Sequence, residues 1–395
     1  MNIPIQIYDT TLRDGTQSEE IHFTTADKVR LTQKLDDLGV AYIEGGWPGS
    51  NPTDSQYFQE IRNYQLKHSK IAAFGSTHTP KTSPENDLSF KQALLADPQA
   101  ITLFGKTWDI HVKEALRISK ERNLELIQDS LAYIRPHIPE LFFDAEHFFD
   151  GFKADQAYAM ACLDKAIQAG ADVVVLCDTN GGTLTTELQD IIQAVQEAHP
   201  RQELGIHVHN DCELAVANSL QAVNCGVRQV QGTINGYGER CGNANLSSII
   251  PALELKMHCQ CLPEGNLKKL RNTALYISEV ANIRPFIRQP FVGKSAFAHK
   301  GGIHVSAVRR NPLTYEHIPP ESVGNKRRVL LSDLSGQSNI LFKAKQFGIP
   351  LEKTDPAVKD VLAKVKELES IGYEYAVAEA SFELLLNQAI GRGKK

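Results

Sequence analysis

Short β-branched and aromatic runs alternate with amphipathic helical stretches over the first two thirds of the chain, and the number of those runs decides the fold. Eight strand–helix units close a barrel, whereas five or six leave an open parallel sheet. The count is eight, at residues 5–9, 41–45, 71–75, 101–105, 140–145, 173–178, 204–209 and 229–234. Helical periodicity fills the gaps at 25–38, 154–169, 185–199 and 213–224, with Gly170 and Pro200 as stop signals. Residues 111–139 are longer than one helix needs, so an extra helix is expected there. A closing helix over 245–257 ends a (β/α)8 TIM barrel of mixed α/β class, assigned to residues 1–262. Residues 263–331 follow as a linker subdomain covering a barrel mouth; its stretch 284–325 carries five prolines and several glycines and reads as irregular structure. Residues 332–395 return to helical periodicity, clearest over 355–371, as a small helical subdomain.

Composition removes several classes of function. Forty-two Lys+Arg oppose 47 Asp+Glu without a long run of either sign, which argues against a nucleic-acid footprint or a polybasic membrane patch. No apolar run approaches the roughly 20 residues of a membrane span, and the N-terminal residues lack the basic and apolar regions of a secretory signal. A cytoplasmic enzyme acting on small molecules is expected. The 7 cysteines are scattered and lack a C-x-x-C pair, against both a disulfide framework and a thiolate zinc site. Cys259 and Cys261 beside His258 leave a minor metal-binding alternative.

A TIM barrel places its chemistry at the C-terminal ends of its strands. Asp9-Thr10-Thr11-Leu12-Arg13-Asp14-Gly15-Thr16-Gln17 follows the first strand, His207-Val208-His209-Asn210-Asp211 ends the seventh, and Asn235 to Asn245 follow the eighth. Period-two alternation puts His207 and His209 on one face of their strand. Closure makes the eighth strand a neighbour of the first and the seventh, so Asp14 and Asn243 converge on the two imidazoles. Such a donor set suits one divalent ion, Mn²⁺, Co²⁺ or Zn²⁺ more naturally than Mg²⁺. A lone H-x-H pair is more often two hydrogen-bonded histidines; the carboxylate and amide at adjacent strand ends turn the balance toward a metal.

These motifs resemble a family. Asp9-Thr-Thr-Leu-Arg-Asp-Gly15, His207-x-His-Asn-Asp211 and Gly236-x-Gly-Glu-Arg-x-Gly-Asn-Ala-Asn-Leu246 are similar to the Claisen-condensing metalloenzymes of the 2-isopropylmalate synthase and homocitrate synthase group, over nearly the whole chain. Asp144-Ala-Glu-His-Phe-Phe-Asp-Gly151, Gln231 to Tyr237, His299-Lys-Gly-Gly-Ile-His304 and Pro319 to Asn325 are most similar to its citramalate synthase branch. The resemblance implies condensation of acetyl-CoA with pyruvate in isoleucine biosynthesis. It gives Arg13 the developing oxyanion, Glu146 the orientation of catalytic groups or water, and His304, with Tyr315 close by, removal of the thioester proton. Substrate binding would fall to Arg13, Phe104, Asp144 and Thr179. Taken alone, Arg13 could serve a structural ion pair, Glu146 be a surface carboxylate, Thr179 cap a helix and His304 be a buried hydrogen-bonded histidine. His22, His147 and His299 stand as further groups around the site.

Homocitrate synthases of the group carry an arginine four residues before the glutamate, where this chain has Phe142, so a second acceptor carboxylate would meet no cation. 2-Isopropylmalate synthase is the next reading, then homocitrate synthase or a metal-dependent retro-Claisen lyase. A non-catalytic relative acting as a binding protein would lack one of Arg13, Asp14, His207 or His209; all four are present. Family members usually continue into a C-terminal domain that binds a feedback inhibitor; the sequence ends at Lys395 without it, leaving regulation open. A homodimer is expected, the linker of one chain closing the barrel of the other.

Overall fold

Residues 3–376 and 378–391 are described by the computed structural model, and among them all eight expected strands pair in parallel and in chain order. They are β1 (Gln6–Asp9), β2 (Tyr42–Gly46), β3 (Lys70–Ser76), β4 (Ala100–Lys106), β5 (Glu140–Glu146), β6 (Val173–Asp178), β7 (Glu203–Val208) and β8 (Gln229–Gly232). Closure comes from β1 against β8, with Gln6 opposite Gln229 and Asp9 opposite Gly232. β6, Val-Val-Val-Leu-Cys-Asp, is buried at every position, as a parallel strand with helices outside and packed side chains inside must be. The interior floor is aromatic: Tyr8, Tyr42 and Phe142 pack with Ala72, Ala100, Val173, Val175 and Cys177.

The outer helices are α1 (Thr25–Leu38), α2 (Pro52–Ile61), α3 (Leu88–Leu95), α4 (Lys120–Ile134), α5 (Gln156–Gln168), α6 (Thr185–Ala198), α7 (Ala215–Asn224) and α8 (Leu246–Lys256). Local signals set their ends. Thr24 and Asp27 form a capping box at the start of α1, and Gly39, at φ +97°, ends it. Around α4, which takes most of the segment 111–139, the extra helix expected there is reduced to short irregular turns, Val112–Leu116 before it and Arg135–His137 after it. No helix among the described residues is long and apolar enough to cross a membrane.

The chain divides into two compact units between Pro285 and Phe286, not at 262. The first unit is longer because α9 (Leu270–Val280) belongs to it: Ala274 O and Ser278 Oγ accept from Asn235 Nδ2 in the loop after β8, at 2.9 and 3.0 Å. Cys259 lies in a two-residue strand paired with Ile3–Pro4, outside the barrel sheet, and both Cys259 and Cys261 are free thiols.

The second unit joins the expected linker and helical subdomains. Its irregular part contains a helix that the glycines and prolines concealed, α10 (Gly302–Arg310), and a short parallel pairing of Ala298–His299 with Arg328–Val329. Beyond them α11 (Gln337–Gln346), α12 (Pro356–Ser370) and α13 (Glu379–Ala389) share an apolar core of Ile340, Val358, Val361, Val365, Phe382 and Leu386.

Candidate active site

The turn after β1 presents the first two groups. Thr10 O accepts from the N–H groups of Arg13, Asp14 and Gly15, and Asp9 braces the turn by accepting from Thr11 N and Oγ1, each at 3.0 Å. Burial pushes Asp9 up to about 7 despite the hydrogen bonds from Thr11. Arg13 is thereby held between two surfaces. Its guanidinium carbon lies 3.8 Å from the centre of the Phe74 ring, its Nε donates to Glu44 Oε2 at 2.6 Å, and its Nη1 is 3.6 Å from Asp14 Oδ2. Burial works against the cation, yet Glu44 and Asp14 hold it firmly charged. Glu44 also accepts from Tyr8 OH at 2.8 Å and Thr10 Oγ1 at 2.5 Å.

His207, inside β7, and His209, just past it, are buried beside Asp14. His207 Nε2 is 3.4 Å from Asp14 Oδ2 and 3.3 Å from His209 Nε2. Burial lowers both imidazoles, His209 to about 4, so each is neutral near pH 7 and offers a lone pair. The tautomer of His207 is set from behind: its Nδ1 meets Gln231 Oε1 at 3.1 Å, while Gln231 Nε2 donates to Asp144 Oδ1 at 3.1 Å.

Asn243 arrives by a return of the β8 loop. Gly242, at φ +89°, sits where a Cβ would fall 2.1 Å from Gly236 O, so the turn requires glycine. The chain then runs extended between the ends of β7 and β8, with Asn243 bridged to His209 and Ala244 N donating to Val208 O at 2.9 Å. Asn243 Nδ2 donates to Tyr237 O at 3.2 Å, leaving Oδ1 free of protein partners.

These residues fit a divalent cation. One donor atom from each of Asp14, His207 and His209 lies within 4.8 Å of the others. Asp14 Oδ1 and Asn243 Oδ1 are buried without a hydrogen-bond partner among the described residues. Orphaned buried acceptors of this kind are costly unless something positive meets them. Burial raises Asp14, but Arg13 leads the opposing influences and holds it below the ordinary carboxylate range.

Around this centre lie the other expected residues of the first unit. Phe104, at the end of β4, stacks on Phe74 with centroids 5.2 Å apart, and Trp47 meets both rings edge-on. Asp144 lies one interior layer below Glu146, buried against Gln231, and burial followed by the charge of Glu44 pushes it up to about 8. Through Gln231 this carboxyl supports His207. Glu146 ion-pairs with Lys106, its register partner on β4. Thr179 Oγ1 accepts from His147 N at 2.9 Å, so its own proton remains available. His147 stacks on His111 at 4.0 Å, and His22 is exposed. In the second unit His304 and Tyr315 face each other with ring centroids 4.2 Å apart, both exposed, and His299 is buried against Glu316 at 3.0 Å.

Sequence reasoning missed Glu44, Gln231 and Phe74. Glu44 carried a usable signal, a carboxylate inside an apolar run at a strand end. Gln231 and Phe74 sit at ordinary strand positions and gain meaning only from what they touch across the barrel.

The comparisons with known proteins agree with this geometry. The HMGL-like family matches residues 4–277, and the Homocitrate synthase post-HMGL domain-like family matches residues 291–372. An (R)-citramalate synthase of Geobacter sulfurreducens is 57% identical over 99% of this chain and 74% of its own. A probable 2-isopropylmalate synthase of Ignicoccus hospitalis is 36% identical over 94% of this chain and 90% of its own. Among solved structures, the HMG-CoA lyase of Bacillus subtilis superposes with a TM-score of 0.61 at 18% identity, over 72% of this chain and 96% of that one, a likeness of fold. With a barrel of this topology, a buried Asp–His–His cluster at its mouth and these matches along its length, the chain belongs to the HMGL-like family, in the group of the 2-isopropylmalate, homocitrate and citramalate synthases.

Proposed function

We propose that this chain is a citramalate synthase-like acyltransferase: it condenses acetyl-CoA with pyruvate and water to give (R)-citramalate and CoA, in isoleucine biosynthesis and in the cytoplasm. The observation that carries the proposal is the mouth cluster of Arg13 beside Asp14, His207 and His209, in a chain 57% identical to an (R)-citramalate synthase. Asp14, His207 and His209, with Asn243 Oδ1 as the fourth protein donor, would hold one divalent ion, and that ion would supply Lewis-acid polarisation of the 2-oxo acid.

The chain's own groups do the rest. Arg13, clamped by Glu44 and Phe74, directs fixed positive charge at the carbonyl oxygen as it gains charge, which favours the transition state over the ground state. Thr179, its hydroxyl proton uncommitted, donates to the substrate carboxylate. His304 takes a methyl proton from the thioester; the resulting carbanion bonds to C2 of pyruvate as the C2=O π pair moves onto the oxygen beside Arg13, that oxygen takes up a proton to become the hydroxyl, and water hydrolyses the thioester to release CoA. Glu146, steadied by Lys106, orients that water. We place His304 and Tyr315 at the barrel of a neighbouring chain in a homodimer. Their exposure, with Ile303 82% and Leu313 75% exposed on the same segment, supports a surface that is covered in the working enzyme.

Pyruvate is favoured because Phe104, Phe74 and Trp47 form an apolar wall beside Arg13. In this part of the mouth both described cations are already paired, Arg13 with Glu44 and Asp14 and Lys106 with Glu146. A second carboxylate would stay unpaired. Incubation with acetyl-CoA and a panel of 2-oxo acids, with free thiol as the readout, tests this. Turnover on pyruvate should exceed that on 2-oxoglutarate by orders of magnitude; comparable rates, or a preference for 2-oxoisovalerate, would overturn the assignment.

A further inference from the structure

The second unit carries a buried charge cluster of its own. Glu316 is 4% exposed, and both its oxygens are engaged. Arg327 donates from Nε to Oε1 at 2.6 Å and from Nη2 to Oε2 at 2.5 Å, and His299 Nε2 lies 3.0 Å from Oε1. Burial pushes this carboxylate up, while Arg327 and His299 bring it below its usual range. A bidentate guanidinium with a third partner is a stiff arrangement, because losing any one contact strands a charge away from water.

The three residues come from three segments. His299 ends the strand Ala298–His299, whose parallel partner begins at Arg328, directly after Arg327. Glu316 follows the turn Pro312–Thr314, where Pro312 O accepts from Tyr315 N and Glu316 N at 3.1 and 3.0 Å. Two of these segments also carry the exposed pair. Tyr315 is the residue before Glu316, and His304 lies in the first turn of α10, five residues after His299. The start of α10 is pinned further by Gly302 N to Leu334 O at 3.0 Å and Asn339 Nδ2 to Lys300 O at 3.1 Å. Two exposed rings gain little from each other in water, whereas the cluster behind them is buried and charged.

We infer that Glu316 is the positioning residue for His304 and Tyr315: by gripping His299 and Arg327 at one carboxylate it fixes the two segments that carry the pair, and so sets the approach of the imidazole to the thioester methyl. This inference rests on the reading that His304 and Tyr315 act in the condensation. A carboxylate that merely stabilised the unit would lower the active fraction by one factor whatever stands at 304 or 315, so coupling between sites separates the two roles.

The test is a pair of double-mutant cycles in the full chain, with kcat and KM for both substrates. Glu316→Gln should lower kcat roughly 10- to 100-fold, the penalty for a displacement of about 1 Å at a reacting group, with KM for pyruvate little changed. In Tyr315→Phe and His304→Ala backgrounds most of that penalty should disappear, since the geometry it protects is already spent. An equal penalty in all backgrounds would overturn the inference. Normal kcat in Tyr315→Phe and His304→Ala themselves would overturn it at its premise, a distinguishable failure. Should Glu316→Gln not fold, Arg327→Lys, at a partly exposed position, keeps the charge and removes the fork, and the same cycles decide.

Discussion

Gln231 is the residue through which metal affinity can be changed without touching a ligand. It is fully buried on β8; Nε2 donates to Asp144 Oδ1 at 3.1 Å and faces Gln229 Oε1 at 3.4 Å, so Oε1 is the atom that meets His207 Nδ1 at 3.1 Å. An amide oxygen only accepts, hence Nδ1 of His207 carries the proton and Nε2 the lone pair. Gln231→Leu removes the acceptor at nearly constant volume. The imidazole must then bury an unpaired N–H, at about 1–3 kcal/mol, or shift its proton to Nε2 and lose the lone pair that faces Asp14. Loss of such a partner weakens metal binding roughly 10- to 100-fold, which is about 1.4–2.7 kcal/mol, the same range. Gln231→Glu keeps an acceptor in place, and Asp144, pushed up to about 8, is protonated at neutral pH and can donate to it, so this variant should bind metal as the parent does. Competition of the metal-stripped proteins with a chromophoric chelator for Zn²⁺ or Mn²⁺ measures the difference, and thermal melts confirm that each variant is folded at the assay temperature. Parental affinity in folded Gln231→Leu would refute the assignment of the His207 lone pair to the metal.

Glu44→Gln removes the charge that receives Tyr8, Thr10 and Arg13. kcat should fall about 100-fold and urea stability by about 3–5 kcal/mol; an unaltered kcat would show that Arg13 keeps its aim without this carboxylate. Asp144 yields a pH prediction: its folded carboxyl, at about 8, retains a proton that the unfolded chain loses near 4. Folding therefore takes up a proton between those values, and the metal-free protein loses up to about 1.4 kcal/mol of stability per unit of rising pH. Asp144→Asn escapes this loss while still accepting from Gln231, so its Tm should pull ahead of the parent's between pH 5 and pH 8. A gap that does not change with pH would contradict the buried, protonated state.

The barrel was legible because its information is local. Eight short strand runs and their capped helices each announce themselves within a dozen residues, and β1 to β8 all appear where the periodicity puts them. Asp14, His207, His209 and Asn243 were legible for a different reason: closure of the barrel makes remote strand ends neighbours, so chain position alone brings them together. What the sequence concealed depends on contacts across the interior or on turns with mixed signals. α10 hides between Gly301-Gly302 and Pro312, residues that elsewhere mark loops. Asp144, which the resemblance counts among the substrate-binding residues, stands one interior layer below Glu146, against Gln231, a placement that only the pleat of the folded strand reveals. The boundary at 262 failed because α9 docks through Asn235, a partner far from it in sequence.

The charge balance of the mouth favours a cation at these donors. At neutral pH Asp144 keeps its proton, Asp9 is near its midpoint at about 7, and the two buried histidines are neutral. Lys106 cancels Glu146. Arg13 is left facing two carboxylates, Glu44 and Asp14, so with Asp9 protonated the centre carries one net negative charge before any substrate arrives. A 2-oxo acid adds another in a space with little water to screen it. A divalent ion turns the deficit into a single positive charge, which one substrate carboxylate neutralises. An acceptor with a second carboxylate would restore a net negative charge beside the Phe74–Phe104 wall, where Lys106, 5.5 Å from the centre of the Phe104 ring, is already paired with Glu146. Metal binding and the choice of a monocarboxylic acceptor are in this respect two consequences of one electrostatic arrangement.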